Sequence, residues 1–384
     1  LGARHVETQC ARDTHLNFRV VSTRDCSVQR RNQKIIEEAP APHLPAGVEE
    51  ALENYSRALF EAIDYTGVGT CEFLVSADSH IYFLEVNPRL QVEHTVSEEV
   101  SGLDLVAEQL RIASGQPLSE PTHLRGHSIE VRITSENPAD DLMPATGRIR
   151  SITWPGGPGV RVDSFVRAGD SIGSDYDSLI AKLIVTGADR TQALARARRA
   201  LGELQVEGMP TVVPFHQVLL EEPDFVAANN DFRVHTRWIE TEFTNEIPAY
   251  TGVLGEPENL GEPEVIAVEV NGRRMEVKLP AGFGTRPETR SKTPKRPTRR
   301  DRGGAKVSAP SGNDLICPMQ GTVVKLSVQE GEVVEEGQVV AVIEAMKMEQ
   351  PLPAHRPGQV VRIAFTPGQP VNAGDVVCEI IDPE

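Results

Sequence analysis

A chain of 384 residues exceeds what one compact core usually serves and divides most naturally into two or three domains. Its hydrophobic fraction of 39% and charged fraction of 25% fit a globular protein with at least one loose segment. The formal net charge of −17 argues against nonspecific nucleic-acid binding, and with no apolar run of bilayer length and no signal-peptide pattern the expectation is no nucleic acid, no membrane and a cytoplasmic home.

The five cysteines, Cys10, Cys26, Cys71, Cys317 and Cys378, are scattered, odd in number and free of any CxxC pair, which argues against a disulfide framework and against a zinc site. The chain starts at Leu1 without an initiator Met and runs at once into patterned sequence, as a fragment would.

In chain order, Val48, Leu52, Tyr55, Leu59 and Ala62 recur at helical spacing and predict an amphipathic helix over 48–63. Two β-type runs follow, 69–75 and 81–86, joined by the polar turn 76–80. Leu103, Val106 and Leu110 mark a second helix that ends at Gly115. A buried strand over 178–185 and a helix carrying Leu194, Ala197, Leu201 and Leu204 complete a mixed region that reaches about residue 242. Gly156-Gly157-Pro158-Gly159 is read as a structural turn, because a β-type run over 160–162 follows it where a phosphate loop needs a helix N-terminus.

From 265 to 279 the sequence alternates around Asn271-Gly272, the pair that a two-residue hairpin turn prefers because both positions need positive φ. Between 286 and 306 nine basic residues stand against two acidic ones with hardly a large apolar side chain, so 285–313 is expected to be a solvated, flexible basic linker.

The final segment contains an internal repeat. Gly321, Gly331, Gly337, Val340 and Ile343 recur 37 positions later as Gly358, Gly368, Gly374, Val377 and Ile380, and Val324, Leu326 and Val328 map likewise onto Val361, Ile363 and Phe365. Two copies of one strand-turn-strand unit, each with an apolar face that only its partner can cover, predict a flattened β sandwich of pseudo-twofold symmetry. Between the copies, at a tight hairpin, lies Glu344-Ala345-Met346-Lys347-Met348-Glu349. A lysine on such a tip offers an amine on a rigid base for acylation, and the flanking methionines at an exposed tip set it apart from an ordinary turn lysine.

Upstream, Glu85, Asn87, Arg89, Gln91 and Glu93 occupy alternate positions; extended, they would put two carboxylates, an amide and a guanidinium on one face, with Glu72 able to join across a hairpin. Pro88 limits how far that alternation can run. Paired carboxylates with Asn suit Mg²⁺, a hard cation, and Arg89 could fork onto a small planar anion. Cys26 is expected to serve packing.

Ala345-Met346-Lys347-Met348 resembles the biotinylation motif of biotinyl carrier domains, with Pro318-Met319-Gln320-Gly321 similar to their opening strand; lipoyl domains share the fold but usually carry Asp-Lys-Ala at the tip. Asn87-Pro88-Arg89-Leu90-Gln91-Val92-Glu93-His94, the stretch from Arg24-Asp25-Cys26 to Asn32-Gln33-Lys34, and Gly126-His127-Ser128-Ile129-Glu130-Val131-Arg132 resemble signatures of biotin carboxylases. With Arg4-His5-Val6-Glu7 and Tyr176-Asp177-Ser178 this second resemblance extends over about residues 1 to 240.

Together the resemblances imply the biotin carboxylase and biotin-carrier α chain of an acetyl- or propionyl-CoA carboxylase. The implied fold is multidomain α+β: the C-terminal portion of an ATP-grasp fold (1–118), a biotin carboxylase C-terminal α+β domain (119–242), a connecting β-hairpin region (243–284), the linker (285–313) and an all-β hammerhead biotinyl domain (314–384). The implied cofactors are biotin on Lys347, ATP, and Mg²⁺ or Mn²⁺. Glu72 and Glu85 would hold the metal with Asn87 close by, His5, Gln29 and Lys34 would face nucleotide and bicarbonate, Arg89 would clamp bicarbonate, Glu93 would be its general base, and Arg132 would stabilise the biotin enolate. Implied partners are bicarbonate, a biotin protein ligase, further subunits of an oligomer, and a carboxyltransferase β subunit, since about 75 residues between the carboxylase-like region and the carrier leave no room for a carboxyltransferase domain.

Two departures bear on these expectations. Asn32 stands where the family usually has His, and the nucleotide-fold domain, glycine-rich lid and adenine hinge that precede Arg4 in biotin carboxylases do not occur in this sequence. Weak or absent ATP binding by this polypeptide, leaving a carrier and assembly module, is the alternative.

Overall fold

The computed structural model describes residues 2–120, 123–174, 176–252, 254, 264–270, 273–279, 312–346, 348–372 and 374–382, with only the backbone described at 264–279 and at Met348. The chain falls into two compact units, one of residues 1–172 and 178–255, the other of 173–177 and 256–384.

The first unit is built on one eight-stranded sheet. Its strands are β1 (Arg4–Arg12), β2 (Phe18–Arg30), β3 (Gln33–Ala39), β4 (Gly67–Val75), β5 (Ile81–Asn87), β6 (His127–Thr134), β7 (Val160–Ser164) and β8 (Leu179–Gly187), in the order β7-β8-β6-β3-β2-β1-β4-β5. Every pairing is antiparallel. The sheet runs without a break across residues 118 and 119, so β6 of the later segment pairs with β3 of the earlier one. Helix α1 (Val48–Ala62) closes one apolar cluster with Val6, Leu52, Phe60 and Phe73, and α4 (Arg190–Glu203) closes a larger one through Leu194, Ala197 and Leu201 against Ile129, Val131 and Leu183.

The predicted elements are present with shifted faces. Helix α1 ends one residue short of the expected 63, and its buried positions are Val48, Leu52, Ser56 and Phe60, while Tyr55 is 50% exposed. The second helix, α3 (Leu105–Ala113), starts after Leu103 and buries Leu105, Glu108 and Ile112, leaving Val106 and Leu110 outside. Apolar spacing located both helices; which side faces the sheet depended on the sheet. A further helix, α2 (His94–Ser101), carries only Val96 and Val100 as apolar residues and gave no helical signal, yet it packs its small residues Ser97 and Ser101 on the sheet.

In the second unit the strands Glu264–Val270 and Arg273–Leu279 pair with Val270 opposite Arg273, as a two-residue hairpin loop requires. Asn271-Gly272 itself and the linker from 285 to 311 lie outside the described residues. The terminal region forms two four-stranded sheets. One takes Asp314–Ile316, Val376–Ile381, Gly358–Val361 and Val333–Val334 in that order, the other Met348–Pro353, Val339–Ala345, Gly321–Leu326 and Pro370–Val371. A shift of 37 positions carries each sheet onto the other, strand for strand.

Val340, Val377, Ile343 and Ile380 fill the core between the sheets, and the paired turn glycines match in backbone angle: Gly331 and Gly368 at φ 90° and 88°, Gly337 and Gly374 at 83° and 91°. The expected trio is corrected at one position in each copy. A bulge between Val323 and Lys325 turns Val323 inward and leaves Val324 37% exposed, and in the second copy Val360 is the buried residue, ahead of Val361.

Candidate functional site

Sheet register gathers the site. On β2, β1, β4 and β5 the residues Arg24, Glu7, Glu72 and Glu85 stand directly opposite one another in a row, so their side chains emerge on one face. On β3, Lys34 opposes Gln29, and on β6, Arg132 opposes Lys182 of β8. Helix α2 brings Glu93, at its N-terminal boundary and 2% exposed, onto the same face.

Lys34 is the centre. Its Nζ lies 2.6 Å from Glu93 Oε1, 3.0 Å from Glu7 Oε2 and 3.4 Å from Glu72 Oε1. Burial opposes its charge, but Glu7, Cys26, Glu93 and Glu72 override that and hold the ammonium far above its ordinary range. Arg132 donates from Nη2 to Glu93 Oε2 at 3.0 Å and from Nε to Glu37 Oε1 at 2.6 Å. Arg24, fully buried, donates from Nε to Glu7 Oε1 at 2.9 Å and from Nη1 to Ser97 Oγ at 2.9 Å. The Cys26 thiol donates to Glu7 Oε1 at 2.8 Å; burial and the Glu7 charge push it well above the usual thiol range, which agrees with packing and not with a nucleophile.

Glu72 collects the other donors. Asn87 Nδ2 and Gln91 Nε2 reach its Oε1 at 2.8 and 2.6 Å, and His5 Nε2 lies 2.7 Å from its Oε2. Burial would raise this carboxyl, but the His5 contact and Lys34 hold it at about 2. Asn87 Nδ2 also donates to Glu85 Oε1 at 2.8 Å, so one amide bridges two opposed carboxylates. An all-oxygen set with donor hydrogens converging between two carboxylates fits a hard divalent cation, with the amide turned to present its oxygen. Gln29 Nε2 sits 3.3 Å from His5 Nδ1, which joins these two residues to the same edge of the site.

The alternation stops where Pro88 was expected to limit it. β5 ends at Asn87, and residues 88–93 form a turn into α2, because Pro88 offers no N–H to continue the ladder. Glu93 is therefore buried beside Lys34 and Arg132, while Arg89 is exposed and donates to Asn87 Oδ1 at 3.4 Å and Leu90 O at 3.2 Å. Asn32 occupies the β2–β3 turn at φ 62°, after Arg31 at 49°, a conformation asparagine tolerates better than most residues.

At the carrier hairpin, Ala345 pairs with Met348 and leaves a two-residue loop, whose first residue, Met346, has φ 49°. Met346 is 5% exposed, so the expected exposed methionine is folded inward as an apolar anchor beneath the tip. Lys347 lies outside the described residues. Glu37, Glu130 and Lys182 were given no role in the sequence reading; the detectable signal was charge inside strands that otherwise read as buried.

One chain thus joins a buried carboxylate and lysine site on an antiparallel sheet to a symmetric two-sheet β domain, and known proteins share both parts. Residues 1–121 match the carbamoyl-phosphate synthase L chain ATP binding domain, 130–241 the biotin carboxylase C-terminal domain, and 313–380 the biotin-requiring enzyme family. The chain is 46% identical over 98% of its length to a biotin-dependent acyl-coenzyme A carboxylase alpha3 subunit of Mycobacterium leprae, of which it covers 64%, and 48% identical over 59% of its length to a biotin carboxylase of Nostoc, of which it covers 51%. It thus spans between about half and just under two thirds of these relatives. Among solved structures, a biotin carboxylase–β,γ-ATP complex from Campylobacter jejuni is similar at 40% identity and TM-score 0.59 over 62% of this chain and 53% of that one. The biotin carboxylase domain of a Hydrogenobacter thermophilus 2-oxoglutarate carboxylase, solved with MgADP, ADP and bicarbonate, is similar at 37% identity and TM-score 0.59 over 62% of this chain and 52% of that one. The chain is thus similar to biotin carboxylases over most of residues 1–241 and to biotin-requiring enzymes over 313–380.

Proposed function

We propose that this chain carries out the ATP-dependent carboxylation of biotin borne on Lys347, with bicarbonate as the carbon source, as the carboxylase and carrier α chain of an acetyl- or propionyl-CoA carboxylase. The observation that carries this reading is Lys34 held among Glu7, Glu72 and Glu93 with Arg132 on the far side of Glu93. Bicarbonate is a poor nucleophile, so a site that activates it needs a carboxylate to take its proton and cations to favour the resulting charge. Glu93 Oε2 is the acceptor for that proton, Arg89 orients the anion, and Lys34 moves from its carboxylate cage onto the phosphates. Mg²⁺ or Mn²⁺ held by Glu72, Glu85 and Asn87 would neutralise charge on the transferring phosphoryl group. His5 and Gln29 face the nucleotide. Arg132, released on one side from Glu93, stabilises negative charge that develops on the carboxyl acceptor.

In this reading 1–118, 119–242 and 314–384 are the functional domains, 243–284 connects them and docks the carboxyltransferase β subunit, and 285–313 gives the carrier its reach. A biotin protein ligase loads Lys347, the assembly is oligomeric and the compartment cytoplasmic, in keeping with five free cysteines.

The test is bicarbonate-dependent ADP release by this chain with free biotin, alongside mass analysis of Lys347. Turnover that Lys34→Gln abolishes is the expected result. A chain that biotinylates normally and never turns over would be a carrier module only, and a lipoyl mass at Lys347 would overturn the reading.

A further inference from the structure

Behind Arg132 lies a second layer of charge that the proposed chemistry does not use. Glu37 of β3 and Glu130 of β6 stand directly opposite each other, and both are completely buried. Opposed residues on antiparallel strands have their side chains side by side. Glu37 receives Arg132 on Oε1 while its Oε2 has no hydrogen-bond partner; Glu130 receives the Thr95 hydroxyl on Oε2 while its Oε1 has none. Two adjacent carboxyls with one orphaned oxygen each are the arrangement in which a single proton can satisfy both.

The charge balance agrees. Three buried carboxyls, Glu37, Glu93 and Glu130, face the cations Arg132 and Lys182, and Lys182 stands off at 3.9 Å from Glu130 while donating to Val92 O at 2.8 Å. Lys34 is divided among Glu7, Glu72 and Glu93, Lys182 also stands 3.8 Å from Asp163 Oδ2, and the Cys26 thiol lies within electrostatic reach of Glu37. A surplus negative charge in so dry a place is costly unless a proton neutralises it.

We propose that Glu37 and Glu130 share one proton between their unpartnered oxygens, and that this carboxyl–carboxylate pair positions Arg132 by presenting one negative charge beneath its guanidinium. Burial and the Glu37 charge push Glu130 up to about 8, which keeps the proton in place at neutral pH. With both carboxylates ionised, Arg132 would be drawn along its own strand toward Glu130, two residues away, and off Glu93. This consequence rests on the carboxylase reading; the proton itself does not.

Infrared difference spectroscopy of the full chain tests the pair. A protonated-carboxyl C=O band is expected at neutral pH, fading in the unmutated chain as the pH is raised through about 8. Glu130→Gln and Glu37→Gln should each abolish it, because either change leaves two carboxyls for two cations. A band that survives Glu37→Gln would mean that burial alone protonates Glu130, and no band in the unmutated chain would mean that both are ionised; either result overturns the proposal. Glu37→Gln should also lower bicarbonate-dependent turnover about tenfold with KM for ATP unchanged. A chain with no turnover but with the band removed by both substitutions would count against the carboxylase reading and leave the shared proton standing.

Discussion

Glu38 shows how neighbouring acids on one strand take opposite fates. Glu37 faces the site, and Glu38, on the other face, meets His127 Nε2 at 2.8 Å and Arg190 Nε at 2.7 Å. Burial alone would raise the Glu38 carboxyl, but Arg190 and His127 override it and hold it at about 2 against an ordinary 4.5. A depressed carboxyl adds stability that is complete above 4.5 and drains away as the pH falls toward 2, worth roughly 3 kcal/mol at neutral pH. His216 acts earlier on the same slope. It is buried, its Nε2 lies 2.7 Å from the carbonyl of Arg132, and burial pushes it down to about 4, so the folded state loses ground as the pH drops from 6.5. Urea unfolding of Glu38→Gln should show a lower midpoint at neutral pH and a flatter decline between 4.5 and 2 than the unmutated chain. Equal slopes there would mean that Glu38 titrates alike in both states.

At the scale of elements, the carrier's symmetry makes a paired prediction. A Cβ on Gly321 would fall 2.4 Å from the Glu344 carbonyl and 2.8 Å from Ile343, and one on Gly358 would fall 2.4 Å from the Ile381 carbonyl and 2.8 Å from Ile380. Both sites are backbone crossings with no room to yield. Gly321→Ala and Gly358→Ala should therefore destabilise the carrier by similar amounts, about 3 kcal/mol each, read as matched shifts in its unfolding within the full chain. A large effect at one position and none at the other would break the equivalence of the halves. The same region shows what the repeat left out. It named the strands and glycines, but the bulge after Val323 reassigned one inward position, because a bulge is a product of strand pairing and not of composition.

Across the whole molecule, each of the two units has hydrophobic clusters of its own, and the strands Glu264–Val270 and Arg273–Leu279 form an antiparallel pair. If that hairpin docks the carboxyltransferase subunit, its deletion should abolish co-purification with that subunit while Lys347 biotinylation persists. Retained co-purification would move docking elsewhere.

The sequence by itself carried the resemblances to biotin carboxylases and biotinyl domains and the two-sheet symmetry, because motif chemistry and a 37-residue repeat are properties of residue order. It also allowed Glu72 to join the acidic face across a hairpin, and the pairing of the two strands sets it opposite Glu85. Only the tertiary structure decided that Glu93 is buried beside Lys34 and Arg132, that Met346 turns inward, and that Glu37 and Glu130 stand opposite each other. Those placements depend on strand order and on a short helix with only two apolar residues; pairing between residues some 90 positions apart is set by the packing of the whole sheet, which no local pattern encodes.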